Sequence, residues 1–356
     1  MCLSDIGVKT MKKMVLMSGG ILAAAVSISG CSGNLENEDV LEQIKIGVSV
    51  YDQYDTFVSE LMDSIEKHVE DMEDIYDISI TLDVQNAGGK QVTQNDQMDY
   101  FIDRGCDIVC INLVDRTDAS TIIERGKSAN IPIIFFNREL VEEDLERWDK
   151  LYYVGADAFE SGIIQGQILV EKLEEDFDSV DRNGDGVLQY VMLEGEAGHQ
   201  DSIVRSMYAL DTVTGAGYQV EKLADEIANW NRDQGKTKMV QWMQEFESEI
   251  EVVFSNNDDM ALGARDALKE AGYFADGEQI PPVILGIDGT KVGMEAVERG
   301  EFLGTVLNDA KGQAQGMMEL AYSVVSGEEL NPEFTLLDGK YIRLPYQKYV
   351  KEAADE

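Results

Sequence analysis

The chain has 356 residues, 69 Asp and Glu against 29 Lys and Arg, and a formal net charge of −40. So acidic a chain repels phosphodiester backbones, which argues against nucleic-acid binding. Its length and its 44% hydrophobic content exceed what one ordinary domain needs, so two are expected.

In chain order, Lys12 and Lys13 open a short basic stretch, and Met14 to Ile28 is apolar and rich in small residues. This pattern predicts a signal peptide over residues 1–30, too short and too small-sided for a comfortable spanning helix. Met11 is an alternative start of translation. The run Ile28-Ser29-Gly30-Cys31 resembles the lipobox of bacterial lipoproteins, which implies that Cys31 becomes a lipidated first residue holding the chain to the outer face of the cytoplasmic membrane. Residues 31–43, polar and acidic, read as a flexible tether.

From there short β-branched runs alternate with helical spacings. Strands are predicted at 44–51, 78–84, 107–113 and 131–137, and helices at 57–72, 95–103 and 117–128. The pattern restarts with helices at 160–173, 201–214, 232–246, 258–271 and 310–326. Strands fall between them at 189–194, 218–225, 251–255, 282–288 and 302–307, and two short strands follow. The alternation predicts an α/β protein of two doubly wound parallel-sheet lobes with a break near Gly155. Cys106 and Cys110 fall four apart along one strand, about 13 Å, too far for a disulfide, and read as small buried hydrophobes.

Between the helix at 160–173 and the strand at 189–194, Asp181-Arg182-Asn183-Gly184-Asp185-Gly186-Val187-Leu188-Gln189 places oxygen-bearing groups at alternate positions, with glycine at the sixth for the turn. Calcium takes hard oxygen ligands in such loops. The ligand set reads as Asp181, Asn183, Asp185, the Val187 carbonyl and Gln189. Position twelve is Met192, so a carboxylate must come from elsewhere: Glu251, or Glu194 nearer in sequence. The ion would be a structural staple.

Ligands in open α/β sheets lie beyond the carboxyl ends of the strands. Here those ends carry Tyr51, Leu113, Asn137, Glu194, Ser255-Asn256-Asn257, Asp288 and Leu307-Asn308. Tyr51 to Phe57 brings carboxylates and aromatics together where a helix opens. Asp201 and Arg205, four apart, share a helical face near His199. Ionised planar groups for hydroxyls and flat rings for C–H faces suit a neutral polyol.

These segments, with Cys110-Ile111-Asn112-Leu113-Val114-Asp115, Phe135-Phe136-Asn137-Arg138-Glu139, Tyr152-Tyr153-Val154-Gly155 and Gly304-Thr305-Val306-Leu307-Asn308-Asp309-Ala310, closely resemble the periplasmic D-galactose/D-glucose-binding protein family, a type I periplasmic binding protein family, from about Ile46 to Tyr346. The resemblance implies that Phe57 and Trp230 sandwich a pyranose from opposite lobes. Asp55 would accept from the hydroxyl that separates galactose from glucose. Asn137 would come from the first lobe, with Tyr51 at the pocket's edge. His199, Asp201, Arg205, Asn257 and Asp288 would line the second, with Asn308 at the hinge. The same resemblance places calcium on Asp181, Asn183, Asp185, Val187, Gln189 and Glu251. It divides the chain at three crossings, with residues 44–155 plus 308–343 in the N-terminal lobe and 156–307 plus 344–352 in the C-terminal lobe. Gln53 and Gln200 depart from the family pattern without being direct ligands.

The implied activity is capture of D-galactose or D-glucose by hinge closure and delivery to the permease of an ABC-type importer, by a monomer without catalytic function. A sensor that presents sugar to a chemoreceptor or kinase fits the same sequence. A sugar hydrolase working through Asp55 and Asp201 would need a nucleophile motif or catalytic metal cluster, and the sequence offers neither. A sugar-responsive repressor would need a helix-turn-helix where the apolar leader stands.

Overall fold

A computed structural model describes residues 42–274 and 280–351. The expected leader, Cys31 and nearly all of the tether lie outside them.

Two six-stranded sheets organise the described chain. The first contains β1 (Gln43–Val50), β2 (Ser79–Asn86), β3 (Ile108–Ile111), β4 (Ile133–Phe136), β5 (Leu151–Ala156) and β11 (Tyr341–Leu344), in the order β11-β5-β4-β3-β1-β2. The second contains β6 (Val187–Glu194), β7 (Gln219–Ile227), β8 (Val252–Ser255), β9 (Val283–Leu285), β10 (Gly304–Leu307) and β12 (Gln347–Val350), in the order β12-β10-β9-β8-β6-β7. Neighbours run parallel except β12, which pairs antiparallel with β10 at the sheet edge. The chain crosses between sheets three times: after Ala156, between Leu307 and Ala310, and between Leu344 and Gln347.

The helices are α1 (Thr56–Tyr76), α2 (Gln91–Arg104), α3 (Ser120–Ala129), α4 (Glu142–Leu145), α5 (Ala158–Asp176), α6 (Gln200–Gly215), α7 (Arg232–Phe246), α8 (Asp258–Glu270), α9 (Lys291–Glu298) and α10 (Ala310–Ser326). Central strands β3 (Ile-Val-Cys-Ile) and β4 (Ile-Ile-Phe-Phe) are wholly buried because helices cover both faces of the sheet, so they read as continuous apolar runs. On one face α1 lays down Phe57, Leu61, Ile65, Val69 and Met72 against Ala314, Met317 and Met318 of α10. Each such fully buried aliphatic stabilises the fold by about 2 kcal/mol. The opposite face packs Met98, Phe101, Ile122 and Ile123. The second lobe repeats the plan, with Trp242 of α7 in the core alongside buried residues of α8.

Cys106 and Cys110 are both buried free thiols. Burial pushes the Cys106 thiol up to about 11 and Cys110 higher still, so neither is a reactive thiolate. His68 is largely buried, with Nε2 3.3 Å from the Glu319 carboxylate, joining α1 to α10. Strand β5 and helices α4 and α9 are elements that the sequence pattern alone does not separate.

In each sheet the strand order reverses direction at one point, between β1 and β3 in the first and between β6 and β8 in the second. Such switch points open a crevice beyond the strands' carboxyl ends. The segments leaving β1, β6 and β8 supply most of the site described next.

Candidate functional site: a closed cleft between two lobes

A narrow cleft lies between the lobes. Tyr51, Asp55, Phe57, Asn137 and Arg138 line it from the first lobe, and His199, Asp201, Arg205, Trp230, Asn257 and Asp288 from the second. Every sugar-site candidate read from the sequence is on this surface except Asn308. Asn308 is buried at the hinge crossing, where its amide oxygen accepts from Gln313 Nε2 at 2.6 Å. Arg138 is the lining residue that sequence reasoning did not single out.

Three of the lining residues are helix caps. Asp55 Oδ1 accepts from the Val58 N–H at 2.9 Å and caps α1. His199 Nδ1 accepts from the Asp201 N–H at 3.2 Å and caps α6. Asn257 Oδ1 accepts from the Met260 N–H at 3.0 Å and caps α8. A side chain that caps a helix start is fixed by backbone, so the cavity wall is rigid before any ligand enters.

The first wall is a linked set. Asn112, buried beyond β3, donates to the Phe136 carbonyl and to Asn137 Oδ1, both at 3.1 Å. Asn137 holds a positive φ of 59°, which Asn tolerates better than most residues. Tyr51 donates its hydroxyl to Asp55 Oδ2 at 2.5 Å. Burial, then the Asp55 charge, pushes that phenol far above its usual range, so it stays a donor. The Arg138 guanidinium carbon lies 3.3 Å from the centroid of the Tyr51 ring, a cation–π stack.

The second wall centres on Arg205. Nη1 donates to the Asn256 carbonyl at 2.7 Å and approaches Asp288 at 3.5 Å, and Nη2 approaches Asp201 at 3.4 Å. Nη2 also bonds the Tyr346 hydroxyl at 3.1 Å. Burial opposes its charge, but Tyr346, Asp201 and Asp288 outweigh that and hold the guanidinium firmly protonated. Arg205 Nε has no protein partner. Burial raises the Asp288 carboxyl well above the usual range, against the pull of Arg205. Burial lowers His199 to about 3, so the imidazole is neutral, and with Nδ1 accepting, Nε2 carries the proton. Trp230 packs edge-on to His199 with ring centroids 5.2 Å apart and rests on Gly195. The cleft thus offers two aromatic rings from opposite lobes, ionised donors and acceptors of both signs, and a neutral imidazole donor. That combination matches an uncharged ligand rich in hydroxyls.

A second group lies at the far end of β6. Asp181 accepts from the Gly184 and Gly186 N–H groups at 2.8 and 2.9 Å. Asn183 Nδ2 donates to Gln189 Oε1 at 2.9 Å, and Gln189 Nε2 donates to Asp185 Oδ2 at 3.0 Å. Glu251, almost fully buried, accepts from the N–H groups of Arg182 at 2.6 Å, Asn183 at 3.3 Å and Gln189 at 3.2 Å. Of the two carboxylates expected from the sequence, Glu251 is therefore the one that reaches the loop. Glu194, the nearer alternative in sequence, ends β6 five residues beyond Gln189, about 16 Å away. Among the described residues no three His, Cys, Asp or Glu side chains group tightly enough to form a metal site by themselves. The loop instead pools amide and carboxylate oxygens, a set whose hardness suits calcium.

Among known proteins, the family model described as a periplasmic binding protein domain matches residues 46–329. The D-galactose/methyl-galactoside binding periplasmic protein of Haemophilus influenzae is 34% identical over 339 residues, covering 94% of this chain and 96% of its own. A xylitol-binding protein of Mycolicibacterium smegmatis is 28% identical over 91% of this chain and 83% of its own. Among solved structures, a Bacillus halodurans ABC transporter solute-binding protein with bound myo-inositol superimposes with a TM-score of 0.71 at 26% identity, covering 87% of this chain and 95% of its own.

Proposed function

The chain belongs to the periplasmic binding protein family, a family of solute-binding proteins, and on that premise we propose that it captures a neutral hexose, D-galactose or D-glucose, outside the cytoplasm for an ABC-type importer. The observation that carries this reading is the pairing of Phe57 and Trp230 across one cavity whose other walls combine the charged Arg205 and its carboxylate neighbours with neutral helix-capping groups. Rings bury the C–H faces of a pyranose, while Asp201 and Arg205 hold its hydroxyls with charge-assisted bonds and Asp288 adds a further carboxyl partner. Asp55, with Oδ2 already bonded to Tyr51, is the group that meets the epimeric hydroxyl, so both hexoses fit.

Binding and closure are one event. The ligand touches both walls only when the lobes are together, so it shifts the population toward the closed form, and the permease reads that shape. The same reading includes a lipid on Cys31 as the anchor, a monomeric chain, and a calcium ion held by Asp181, Asn183, Asp185, the Val187 carbonyl, Gln189 and Glu251. When bound, that ion would tie the loop to the start of β8 and take no part in chemistry.

Calorimetric titration of the purified protein with D-galactose, D-glucose, D-ribose, D-xylose, myo-inositol and xylitol tests the assignment. Tightest binding to one or both hexoses is expected. Absence of saturable hexose binding, or a clear preference for a pentose or polyol, overturns it.

A further inference from the structure

Among the described residues, three hydrogen-bonded contacts join the lobes directly. On one flank Arg138, which follows β4, donates from Nη1 and Nη2 to the two carboxylate oxygens of Glu196, which follows β6, at 3.1 and 3.3 Å. On the other flank Thr56 Oγ1, at the start of α1, donates to Asp259 Oδ2 on α8 at 2.6 Å. One turn further along α1, Glu60 accepts from the backbone N–H of Lys291 at the start of α9 at 3.2 Å. Glu196, Thr56, Asp259 and Glu60 are not among the residues that wall the sugar cleft. Arg138 is already aimed in its own lobe, because Nη1 also donates to the Val114 carbonyl at 3.1 Å and its plane rests on Tyr51. Closure therefore brings Glu196 to a guanidinium whose ordering cost is already met.

We propose that these contacts form a clasp that sets how much of the protein is closed, and so scales the affinity for every ligand by one common factor. The inference rests on the hexose-binding reading and extends it by separating two jobs. When binding requires a particular conformer, apparent affinity is the intrinsic affinity multiplied by that conformer's share of the population. A contact made only in the closed form, and not to the ligand, changes that share alone. Glu196 and Thr56 govern affinity without discrimination. Asp55, within the cleft, governs discrimination between epimers.

The test compares Glu196→Ala, Thr56→Val and the double variant with the wild type. Calorimetry with D-galactose and D-glucose is paired with small-angle scattering and thermal melting of sugar-free protein. Each single variant is expected to weaken both sugars by the same factor, roughly tenfold, and the double variant by roughly a hundredfold, since separate contacts add in free energy. The galactose-to-glucose ratio should hold, the sugar-free melting temperature should stay near wild type, and the sugar-free double variant should be more extended. Unchanged affinity in the double variant, or a change in the ratio beyond threefold, overturns the clasp. If the wild type binds neither hexose, the functional reading fails instead. The clasp is then judged by scattering alone, where a double variant no more extended than wild type overturns it.

Discussion

One missing methyl decides whether Trp230 can reach the cleft. A Cβ on Gly195 would lie 2.1 Å from the indole, far inside van der Waals contact. Trp230 cannot easily back away, because it and Asn229 hold positive φ of 59° and 51°, and Asn257 Nδ2 pins the Trp230 carbonyl at 3.1 Å. Gly195→Ala should therefore displace the ring and weaken hexose binding on the order of tenfold by calorimetry, with the sugar-free melting temperature close to wild type. His199 supplies the pH dependence at this scale. Its folded value is lowered to about 3 by burial, against roughly 6.5 unfolded. A depressed histidine favours the fold above the unfolded value and loses that contribution as pH falls from about 6.5 toward 3. His199→Asn, which keeps a capping side chain, should lose less unfolding free energy than wild type between pH 7 and 4.5, a difference on the order of 2 kcal/mol by denaturant titration. Equal losses in the two proteins would show that His199 is not buried neutral. Most of the cleft was legible as residue types at strand ends and helix starts. Asn308 lies at the hinge crossing, as the resemblance implies, but outside the cleft lining, with its amide oxygen taken up by Gln313. Arg138 was passed over because its reach to Tyr51 and Glu196 exists only in three dimensions.

At the scale of elements, the spacing of the loop at 181–189 points to a set of oxygen donors and to the need for a distant carboxylate, and the calcium ion proposed there is open to direct test. The loop's internal hydrogen bonds, Asn183 to Gln189 and Gln189 to Asp185, hold the oxygens together around Gly186 at a φ of 80°. A cation that binds only the folded loop adds stability through linkage. Chelation with EDTA should lower the melting temperature by several degrees, and Glu251→Gln should abolish that shift. An identical melting curve with and without chelator removes the calcium assignment. Elsewhere the alternation of strand and helix located the layers, but three elements escaped it. Strand β5 (Leu-Tyr-Tyr-Val-Gly-Ala) follows the Trp148–Lys150 stretch with no turn signal to bound it, and α4 and α9 are too short for a periodic stripe. Helix α9 begins because Thr290 caps it through the Gly293 N–H while Asp258 accepts from both the N–H and the hydroxyl of Thr290. That buried acid on α8 makes a tertiary start signal which no local pattern carries.

The whole molecule is two copies of one plan whose segments are interleaved. The first sheet needs β11, and the first core needs α10, yet both come from the last part of the chain, after all but β12 of the second sheet. Synthesis therefore delivers the halves out of step. When residue 156 has been made, the leading half still lacks an edge strand and the helix that covers α1. It must wait, incompletely covered, while the trailing half acquires five of its six strands. Assembly of the leading half is thus coupled to the arrival of the carboxyl-terminal stretch, and a polypeptide cut short before residue 310 would leave Leu61, Ile65 and Met72 facing water.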